Sequence, residues 1–358
     1  MTQPPPPCSA SWPATRAGAV LRVDLAALVR NYGHVAGLAQ GAACAAVVKA
    51  DAYGLGAAQV APVLEQAGAR EFFVAHVDEG LALRPHVSPQ ARITVLHGPR
   101  PDAVEACLAN GLRPVLNSLE QIGWVRAVAR QRGTVVDAVL QLDTGMSRFG
   151  LSEADIHTLA NDPSAFDGLS LSLIMSHLAC ADNPQDPANA MQAARLRAYA
   201  ALLPPAPLSL AASSGVFLGP DYHFSLVRPG AALYGVAPQT GQANPLEAVV
   251  RLQAPVLQTR QLPAGARAGY GLTWQAPGPC RVATIGVGYA DGFARQGAAL
   301  GCAWFKGRRL PVVGRISMDS MTVDITDLPA GELEADGMVD LLDATHGVDA
   351  VAQAEGTI

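Results

Sequence analysis

Residues 45–56 read Ala-Ala-Val-Val-Lys-Ala-Asp-Ala-Tyr-Gly-Leu-Gly, and this stretch sets the expectation for the fold. Its first part is a continuous apolar run ending at Lys49, which is typical of a strand buried on both faces of a parallel sheet. Small residues and two glycines then interrupt the strand, and a pattern of helical period follows at 57–67. Because the next apolar run begins at 72, the stretch predicts a strand, a turn and a helix leading to a second, parallel strand.

The same alternation of strand and helix continues on both sides of this stretch. Apolar runs of strand length occur at 20–24, 44–49, 72–75, 93–97, 113–116, 135–142, 169–176, 208–212 and 225–228. Stretches of helical length and period occur at 57–67, 78–84, 102–109, 119–131, 153–160 and 188–202. Eight or so such units over roughly 210 residues predict an α/β fold, a (β/α)8 TIM-like barrel. A doubly wound sheet is the alternative.

The pattern changes past about residue 238. Strand-like runs occur at 250–262, 280–289, 302–306, 310–317, 321–325 and 338–342, with Gly, Pro and Asp turns between them. We therefore predict a barrel domain over 19–237 and a C-terminal all-β domain over 238–358. Residues 1–18 contain four consecutive prolines and no apolar signal-peptide core, so we expect a disordered leader there.

Composition argues against several classes of function. Half of the 358 residues are hydrophobic, and the formal net charge is −5. These values suit a large buried core and argue against a nucleic-acid-binding face. No apolar run reaches the roughly 20 residues of a membrane span. The six cysteines are far apart and form no C-x-x-C pair, which favours reduced thiols in a cytoplasmic protein.

Lys49 is the first candidate for chemistry. It lies where a strand run ends, and the carboxyl ends of the strands form the catalytic face of a barrel. Apolar strand on one side and a small-residue turn on the other can desolvate the amine, which lowers its pKa and makes it nucleophilic. Position alone fits a solvated lysine at a strand end as well, so the surrounding motif has to decide between the two.

The stretch from Lys49 to Gly56 resembles the cofactor-binding signature of alanine racemases, bacterial fold-type III enzymes that use pyridoxal 5′-phosphate (PLP). Further matches to this family follow in the right order from about residue 20 onward. They are Asp-Thr-Gly-Met-Ser-Arg-Phe-Gly at 143–150, Ser-His-Leu-Ala-Cys-Ala-Asp at 176–182, Val-Arg-Pro-Gly-Ala-Ala-Leu-Tyr-Gly at 227–235, Gly-Tyr-Gly at 269–271, Val-Gly-Tyr-Ala-Asp-Gly at 287–292 and Gly-Arg-Ile-Ser-Met-Asp at 314–319. The resemblance therefore covers both predicted domains.

The resemblance implies a two-base mechanism. Lys49 would carry PLP covalently and serve as the base on one face of the substrate α-carbon, and Tyr270 would be the base on the opposite face. A tyrosine has an unperturbed pKa near 10, so it needs a neighbour that assists its ionisation. His177 matches the family histidine that hydrogen-bonds this tyrosine. A histidine at a strand end is more often a structural hydrogen-bonding group, and here the two roles coincide.

The resemblance also implies contacts to the cofactor phosphate. Tyr53, Ser213 and the backbone of Gly230 and Ala231 match the family's phosphate-binding positions, where several donors meet at strand-to-helix turns. The match at Ser213 is weaker, because alanine precedes it where the family usually has asparagine. Ser214 is the alternative ligand.

Two arginines match family positions beside the cofactor ring. Arg228 would face the pyridine nitrogen, where a guanidinium does not readily give up a proton and so leaves that nitrogen unprotonated. Arg148 would lie near the phenolic oxygen and the substrate carboxylate. Many family members position this second arginine with a carbamylated lysine, but this chain has Gln141. We expect Arg148 to be held by the carbonyl of Gln141 or by a bound anion, with altered turnover and specificity.

Four residues of the β domain match positions near the substrate and its access channel. Met318 would contribute a backbone donor to the substrate carboxylate, and Asp319 would be an acid of the channel. Tyr289 and Arg295 would form its inner and outer walls. Each of the four also fits ordinary surface or core of a β domain.

The implied function is the interconversion of L-alanine and D-alanine (EC 5.1.1.1), supplying D-alanine for cell-wall peptidoglycan. In the family the tyrosine base comes from the other subunit, so a homodimer with shared active sites is expected. The family continues past the position where this chain ends. We therefore expect a truncated β domain and weaker PLP retention.

Other functions remain open at this point. A broad-specificity or serine racemase of the same family fits, because Gln141 removes one positional constraint. An amino-acid decarboxylase shares the barrel, the β domain and the lysine, but would have a cysteine near the site and a glycine-rich phosphate loop instead of Tyr270 and the Arg-Pro-Gly segment at 228–230. A non-catalytic PLP-binding protein resembles the barrel alone. A degenerate, inactive racemase is the fourth possibility.

Overall fold

The computed structural model describes residues 16–293 and 301–355. The chain divides into two compact units, one over Leu25–Glu247 and one made of residues up to 24 and from 248 onward. The sequence places these boundaries at 18/19 and 237/238 instead. The first strand explains one difference, since Val20–Val23 pairs antiparallel with Val250–Leu262 and so belongs to the second unit. Residues 1–15 of the expected leader lie outside the described residues.

The unit over Leu25–Glu247 is a closed barrel of parallel strands. Seven strands pair side by side in chain order, and Leu226–Val227 pairs with Ala43–Cys44. That first strand resumes after one residue as Ala46–Val47, and a parallel bridge between Ala212 and Arg228 completes the ring. The strands are Ala43–Cys44, Ala46–Val47, Glu71–Val74, Arg92–Val95, Leu112–Leu116, Val136–Gln141, Leu169–Met175, Leu208–Ser209 and Leu226–Val227. The predicted (β/α)8 barrel is therefore present.

Helices lie between the barrel strands. They are Leu25–Leu38, Ala57–Gln66, Val77–Leu83, Val104–Ala109, Leu119–Arg132, Glu153–Ala160 and Pro187–Ala200, with short helices at Lys49–Tyr53 and Ser213–Val216 and single 3-10 turns at Arg84–His86, Pro101–Ala103, Pro220–Tyr222 and Ala231–Tyr234. The sequence analysis did not predict the first of them. Gly33 and Gly37 weaken its helical signal, and both glycines face open space.

Local signals set several helix starts. Ser118 and Ser152 each accept a hydrogen bond from a backbone N–H three residues on, and Asp155 completes a capping box with Ser152. Asp186 caps the helix that begins at Pro187, where the missing N–H of proline leaves no unsatisfied donor. The strands between these helices supply fully buried side chains to the core, and burying each large one contributes about 1.5–3 kcal/mol.

The second unit is an antiparallel β domain. Its main sheet runs in the order Arg308–Pro311, Cys302–Phe305, Met338–Leu342, Val250–Leu262, Cys280–Ile285 and Met321–Asp324, with Val20–Val23 also on the long strand. Arg267–Ala268 and Trp274–Gln275 form a separate ribbon, and Val348–Glu355 is a helix. The all-β expectation holds for the sheets. The strand expected at 310–317 lies at Arg308–Pro311 instead, because it pairs across a tight turn with Cys302–Phe305.

Two further findings concern the whole described chain. No helix within residues 16–293 and 301–355 is both long enough and apolar enough to cross a membrane. The five cysteines in those ranges are free thiols.

Candidate active site

The carboxyl ends of the barrel strands bring the candidate residues of the first unit to one face. Lys49 follows Ala46–Val47, and Gln141 is the last residue of its strand. His177 follows Leu169–Met175, and Arg228 follows Leu226–Val227. Parallel strands end at the same side of the barrel, and this is the side where barrel enzymes carry their active sites.

Lys49 opens a left-handed turn of backbone. Residues 50–53 have φ angles of 52°, 53°, 55° and 58°, a conformation that costs roughly 1–2 kcal/mol per residue for amino acids with a Cβ. Hydrogen bonds hold the turn in place. The N–H of Ala52 bonds the carbonyl of Val48 at 2.9 Å, and the N–H of Ala50 donates to Glu79 Oε1 at 3.0 Å. Strain of this kind is typical of functional sites.

The environment of Lys49 lowers the pKa of its amine. Desolvation by burial and the positive charge of Arg148 both lower the pKa of Lys49, and Glu79 opposes them only in part. A lysine whose pKa falls towards neutrality exposes a lone pair that can attack a carbonyl or accept a proton. The expectation of a desolvated lysine, rather than a solvated one, is therefore supported.

Arg228 is a buried cation held by neutral acceptors. Its side chain is 4% exposed. One of its terminal nitrogens bonds Ser209 Oγ, and the other donates to the carbonyls of Ser176 at 2.7 Å and Leu210 at 3.4 Å. Burial lowers the pKa of Arg228 to about 10, so it remains protonated at neutral pH. No carboxylate within the described ranges forms an ion pair with it.

His177 stays neutral beside these cations. Desolvation is the largest cause, and the charges of Arg228, Arg148 and Lys49 add to it, lowering the pKa of His177 to about 3. A neutral imidazole can accept a hydrogen bond from a hydroxyl group, whereas an imidazolium cannot. The side chain therefore has the protonation state that assisting a tyrosine would need.

Hydroxyl and backbone N–H groups converge at the ends of the last two barrel strands. Ser213 Oγ accepts the N–H of Gly230 at 2.9 Å and the N–H of Ala232 at 3.1 Å, which leaves the hydroxyl hydrogen of Ser213 free to point outward. Ser213, and not Ser214, makes these bonds. A Cβ atom at Gly230 would collide with the Tyr53 hydroxyl. These hydroxyl and amide groups suit a phosphate monoester.

This set of groups fits the pyridoxal phosphate that the sequence resemblance implies. The Tyr53 ring packs on Tyr234 with centroids 4.6 Å apart, and the Tyr234 hydroxyl donates to the Val47 carbonyl at 3.1 Å. Tyr53 is thereby tied to the strand that leads to Lys49. A phosphate cradle, a lysine of lowered pKa and a buried guanidinium without a carboxylate partner match the three ends of that cofactor.

Arg148 lies on a compact loop and not in a bond with Gln141. Asp143 Oδ1 accepts hydrogen bonds from the backbone N–H groups of residues 145, 146 and 147 at 2.9, 3.0 and 3.1 Å. The Arg148 guanidinium lies 5.8 Å from the Phe149 ring centroid, and within the described ranges it forms no hydrogen bond. The expected contact from the Gln141 carbonyl is therefore not present.

The sequence analysis missed a pair of histidines on the same face. His76 and His97 follow the strands Glu71–Val74 and Arg92–Val95, and their Nδ1 atoms lie 3.2 Å apart. Desolvation, His76, Lys49 and Arg148 lower the pKa of His97, against an opposing contribution from Glu79. Glu79 was missed as well. The signal was available, since His76 directly follows one apolar strand run and His97 ends the next.

The remaining candidates lie in the β domain. Tyr270 is 66% exposed and opens a single turn flanked by Gly269 and Gly271, whose φ angles are 77° and 73°. A Cβ at Gly269 would lie 2.8 Å from the backbone nitrogen of Arg315, so the turn is close to the 314–319 segment.

Two other β-domain candidates share that segment. The N–H of Tyr289 bonds the Ser317 carbonyl at 3.0 Å, and the Met318 carbonyl accepts from Ala290 at 2.8 Å. Asp319 accepts a hydrogen bond from Ser320. Arg295 lies outside the described residues. The β domain thus brings Tyr289, Met318 and Asp319 together on adjoining loops.

Comparison with known protein families covers almost the whole chain. The family described as "Alanine racemase, N-terminal domain" matches residues 23–238. The family described as "Alanine racemase, C-terminal domain" matches residues 249–358.

Individual relatives agree with these matches. A protein of Mesorhizobium japonicum named "Alanine racemase, catabolic" is 48% identical over 349 residues, which are 97% of this chain and 91% of that protein. The alanine racemase of Brucella canis is 44% identical over 355 residues, 96% of this chain and 90% of that protein. The crystal structure of alanine racemase from Bartonella henselae, described as having covalently bound pyridoxal phosphate, superposes with a TM-score of 0.92 at 39% identity, over 96% of this chain and 95% of that chain.

Proposed function

This chain belongs to the alanine racemase family, and from that premise we propose that Lys49 and Tyr270 are its two proton-transfer groups. The enzyme is an isomerase that interconverts L-alanine and D-alanine and depends on pyridoxal 5′-phosphate. The observation that carries the proposal is the pairing of a lysine of lowered pKa with a buried arginine that has only neutral partners. Most PLP sites would require a carboxylate where this arginine lies.

The barrel residues are assigned to holding the cofactor. Lys49 would attach it covalently, and Tyr53, Ser213 and the backbone N–H groups of Gly230 and Ala231 would bind its phosphate. When bound, PLP withdraws electrons from the substrate α-carbon and makes its proton acidic. Arg228 would face the pyridine nitrogen and, because it keeps its own proton, would leave that nitrogen unprotonated. The weaker electron demand would favour return of the proton to the α-carbon over side reactions.

Proton transfer is assigned to one residue on each face of the substrate. Once the substrate amine has replaced it on the cofactor, the released Lys49 Nζ would take the α-proton from one enantiomer, and the Tyr270 hydroxyl would deliver a proton to the opposite face. In the other direction the two residues exchange roles. His177 is neutral, so in the proposed site it would accept a hydrogen bond from the Tyr270 hydroxyl of a partner subunit and ease the ionisation of that hydroxyl. Racemisation follows because each face has its own acid and base.

Substrate binding is assigned to residues around this pair. Arg148 and the backbone N–H of Met318 bind the carboxylate, and a guanidinium is well suited to that task. Tyr289 and Asp319 would line the access channel, and Arg295 is assigned to it from its sequence match alone.

The test is the formation of D-alanine from L-alanine by protein supplied with PLP, with L-serine and L-lysine in parallel. Turnover of alanine at a kcat/KM well above that of the other two supports the proposal. Comparable turnover of all three would instead identify a broad-specificity racemase, for which the neutral Gln141 is the motivating feature. No turnover by a folded, PLP-loaded protein would identify a degenerate homologue.

The proposal includes a homodimer in which Tyr270 acts in the partner's site. The exposure of Tyr270, Leu272 and Met318 in the single chain supports it, because these side chains are more than half exposed although Tyr270 is assigned to proton transfer and the Met318 backbone to the substrate carboxylate. Mixing inactive Lys49→Ala and Tyr270→Phe proteins and allowing subunits to exchange tests the assignment. Each mixed dimer would contain one intact site, so activity should return to about a quarter of wild type. Absence of recovery in a verified mixed dimer would contradict sharing.

We propose that the cellular role is the supply of D-alanine for the cell wall. The wide spacing of the cysteines supports a location in the reducing cytoplasm. A second role is favoured by the Mesorhizobium japonicum relative, whose name describes a catabolic enzyme. Deletion of the gene distinguishes them. A requirement for added D-alanine indicates the biosynthetic role, and failure to grow on alanine as carbon source indicates the catabolic one.

A further inference from the structure

The helix Pro187–Ala200 carries a row of polar side chains on its inner face. Asn189 and Gln192 are spaced three residues apart, so they share this buried side of the helix, and Arg195, three residues further on, is exposed. Asn189 and Gln192 are each only 1% exposed. Burying an amide side chain costs free energy unless its polar atoms are hydrogen-bonded. The hydrogen-bond partners of Asn189 and Gln192 therefore identify the segments that these side chains hold in place.

Gln192 joins two loops of the active site. Its Nε2 donates to the His177 carbonyl at 2.9 Å and to Thr144 Oγ1 at 3.2 Å, and its Oε1 accepts the N–H of Ala179 at 2.9 Å. None of these partners belongs to its own helix. The amide therefore uses both donor hydrogens and its acceptor to connect the His177 segment with the loop at 143–150.

Thr144 extends the connection to the buried arginine. Its Oγ1 lies 2.7 Å from Ser176 Oγ, and its carbonyl accepts from Arg195 at 3.2 Å. The Ser176 carbonyl in turn accepts from Arg228 at 2.7 Å. We call Gln192, Thr144 and Ser176 the Gln192 network. It links the three segments that carry Arg148, His177 and Arg228.

The loop from Thr144 to Arg148 is compact, so the position of Thr144 affects the position of Arg148. Asp143 Oδ1 accepts three consecutive N–H groups at 145–147. A Cβ at Gly150 would lie 2.7 Å from the Asp143 nitrogen, so the two ends of the loop nearly touch. Because the Arg148 guanidinium has no hydrogen bond within the described part of the chain, its position depends on the backbone that Thr144 anchors.

We infer that Gln192 is a positioning residue of this racemase, which through Thr144 and the His177 carbonyl fixes Arg148 relative to His177 and Arg228. The inference rests on the proposed function, since it assigns a purpose to those three residues. The Gln192 amide is buried and its hydrogen bonds all go to protein groups. It acts by keeping the carboxylate-binding arginine and the tyrosine-assisting histidine at a constant separation.

Thr144→Val is the principal test, because valine keeps the shape and removes the hydroxyl. We expect the KM for L-alanine to rise about tenfold, the effect of losing one or two buried hydrogen bonds at a distance from the chemistry, with a smaller change in kcat. Thr144→Ser retains the hydroxyl and should restore the KM. Gln192→Met removes the whole connection and should raise the KM at least as much.

Asn189→Leu is the matched control. Asn189 lies on the same face with the same burial, but its amide donates to the carbonyls of Cys180 and Asn183 and not to the Arg148 loop. This variant should lower the Tm without raising the KM. PLP affinity, followed by titrating the cofactor-free protein, supplies a second readout. It should fall in Gln192→Met, which through Thr144 disturbs Ser176, whose carbonyl accepts from Arg228, and stay unchanged in Asn189→Leu.

Two results overturn the inference. One is a KM for Thr144→Val and Gln192→Met that stays at the wild-type value. The other is a rise in KM that Asn189→Leu reproduces at equal loss of Tm, because the network would then be merely structural. In both cases the wild-type protein still racemises alanine, whereas failure of the proposed function would show as an inactive wild type.

Discussion

The carboxyl end of the barrel and the 269–271 turn of the β domain carry the two halves of the proposed chemistry, and the chain holds them very differently. Arg228 at the barrel end is almost fully buried and has three hydrogen bonds. Tyr270 on the turn is largely exposed, and within the described residues its hydroxyl has no hydrogen bond. Within a single chain, the side chain of Arg228 at the barrel end is already buried and hydrogen-bonded. The 269–271 turn leaves the side chain of Tyr270 exposed.

The difference follows from what each group must do. A cofactor that stays bound needs donors and cations fixed before it arrives, because ordering them afterwards would weaken binding. A group that approaches the substrate from the opposite face must be oriented correctly, but it does not have to be buried. Glycines with positive φ on both sides of Tyr270 aim it through the backbone.

The largest expected effect comes from removing the barrel half. Lys49→Ala should lower kcat/KM for alanine by about three orders of magnitude or more, because covalent attachment and one base are lost together. The visible absorption of bound PLP should disappear after dialysis. A variant that kept both absorption and activity would break the assignment of Lys49.

Tyr270→Phe should separate proton transfer by the β-domain turn from cofactor binding by the barrel. We expect kcat to fall about a hundredfold from the loss of one general acid–base group, while PLP binding stays at the wild-type level because the cradle lies in the barrel. Exchange of the α-proton should survive for one enantiomer and be lost for the other. Loss of PLP binding in this variant would contradict the division of labour.

Gly230→Ala should weaken the cradle without touching either base. The added methyl group would collide with the Tyr53 hydroxyl and lie 3.2 Å from Val47 Cβ, so Tyr53 must move. PLP affinity should fall about tenfold, corresponding to one lost hydrogen bond to a charged group. Gly37→Ala is the control, since that helical glycine faces open space and should leave PLP affinity unchanged.

The last expected effect is on stability and not on catalysis, a pH dependence of folding from His177. Its pKa is lowered to about 3 in the folded chain, compared with about 6.5 in the unfolded chain. Between these values the unfolded state binds a proton that the folded state does not. Stability is therefore fully present above about pH 6.5 and declines as pH falls towards 3, by at most about 1.4 kcal/mol per pH unit.

The Tm of cofactor-free protein between pH 7 and 4 measures this dependence. His177→Asn should flatten the decline, while the control His157→Asn, a change at an exposed histidine, should not. An unchanged slope in His177→Asn would show that the imidazole is protonated in the folded protein.

Strand positions could be predicted well because buried parallel strands leave continuous apolar runs. The ends of those runs also located Lys49, His177 and Arg228. The helix Leu25–Leu38 escaped prediction because its two glycines dilute the pattern. The left-handed turn after Lys49 could not be predicted either, since alanine rarely adopts it, and one of the hydrogen bonds that hold it comes from Glu79, 29 positions after Ala50.

By itself the sequence determined the barrel, the β domain and the residue types at each strand end, because periodicity and motif order are local properties. Only the tertiary structure decided how those residues are charged and held. The pKa of Lys49 and of His177 depends on burial and on cations from other strands. The placement of Arg148 depends on Gln192, 44 positions later in the chain, and no local pattern records such a contact.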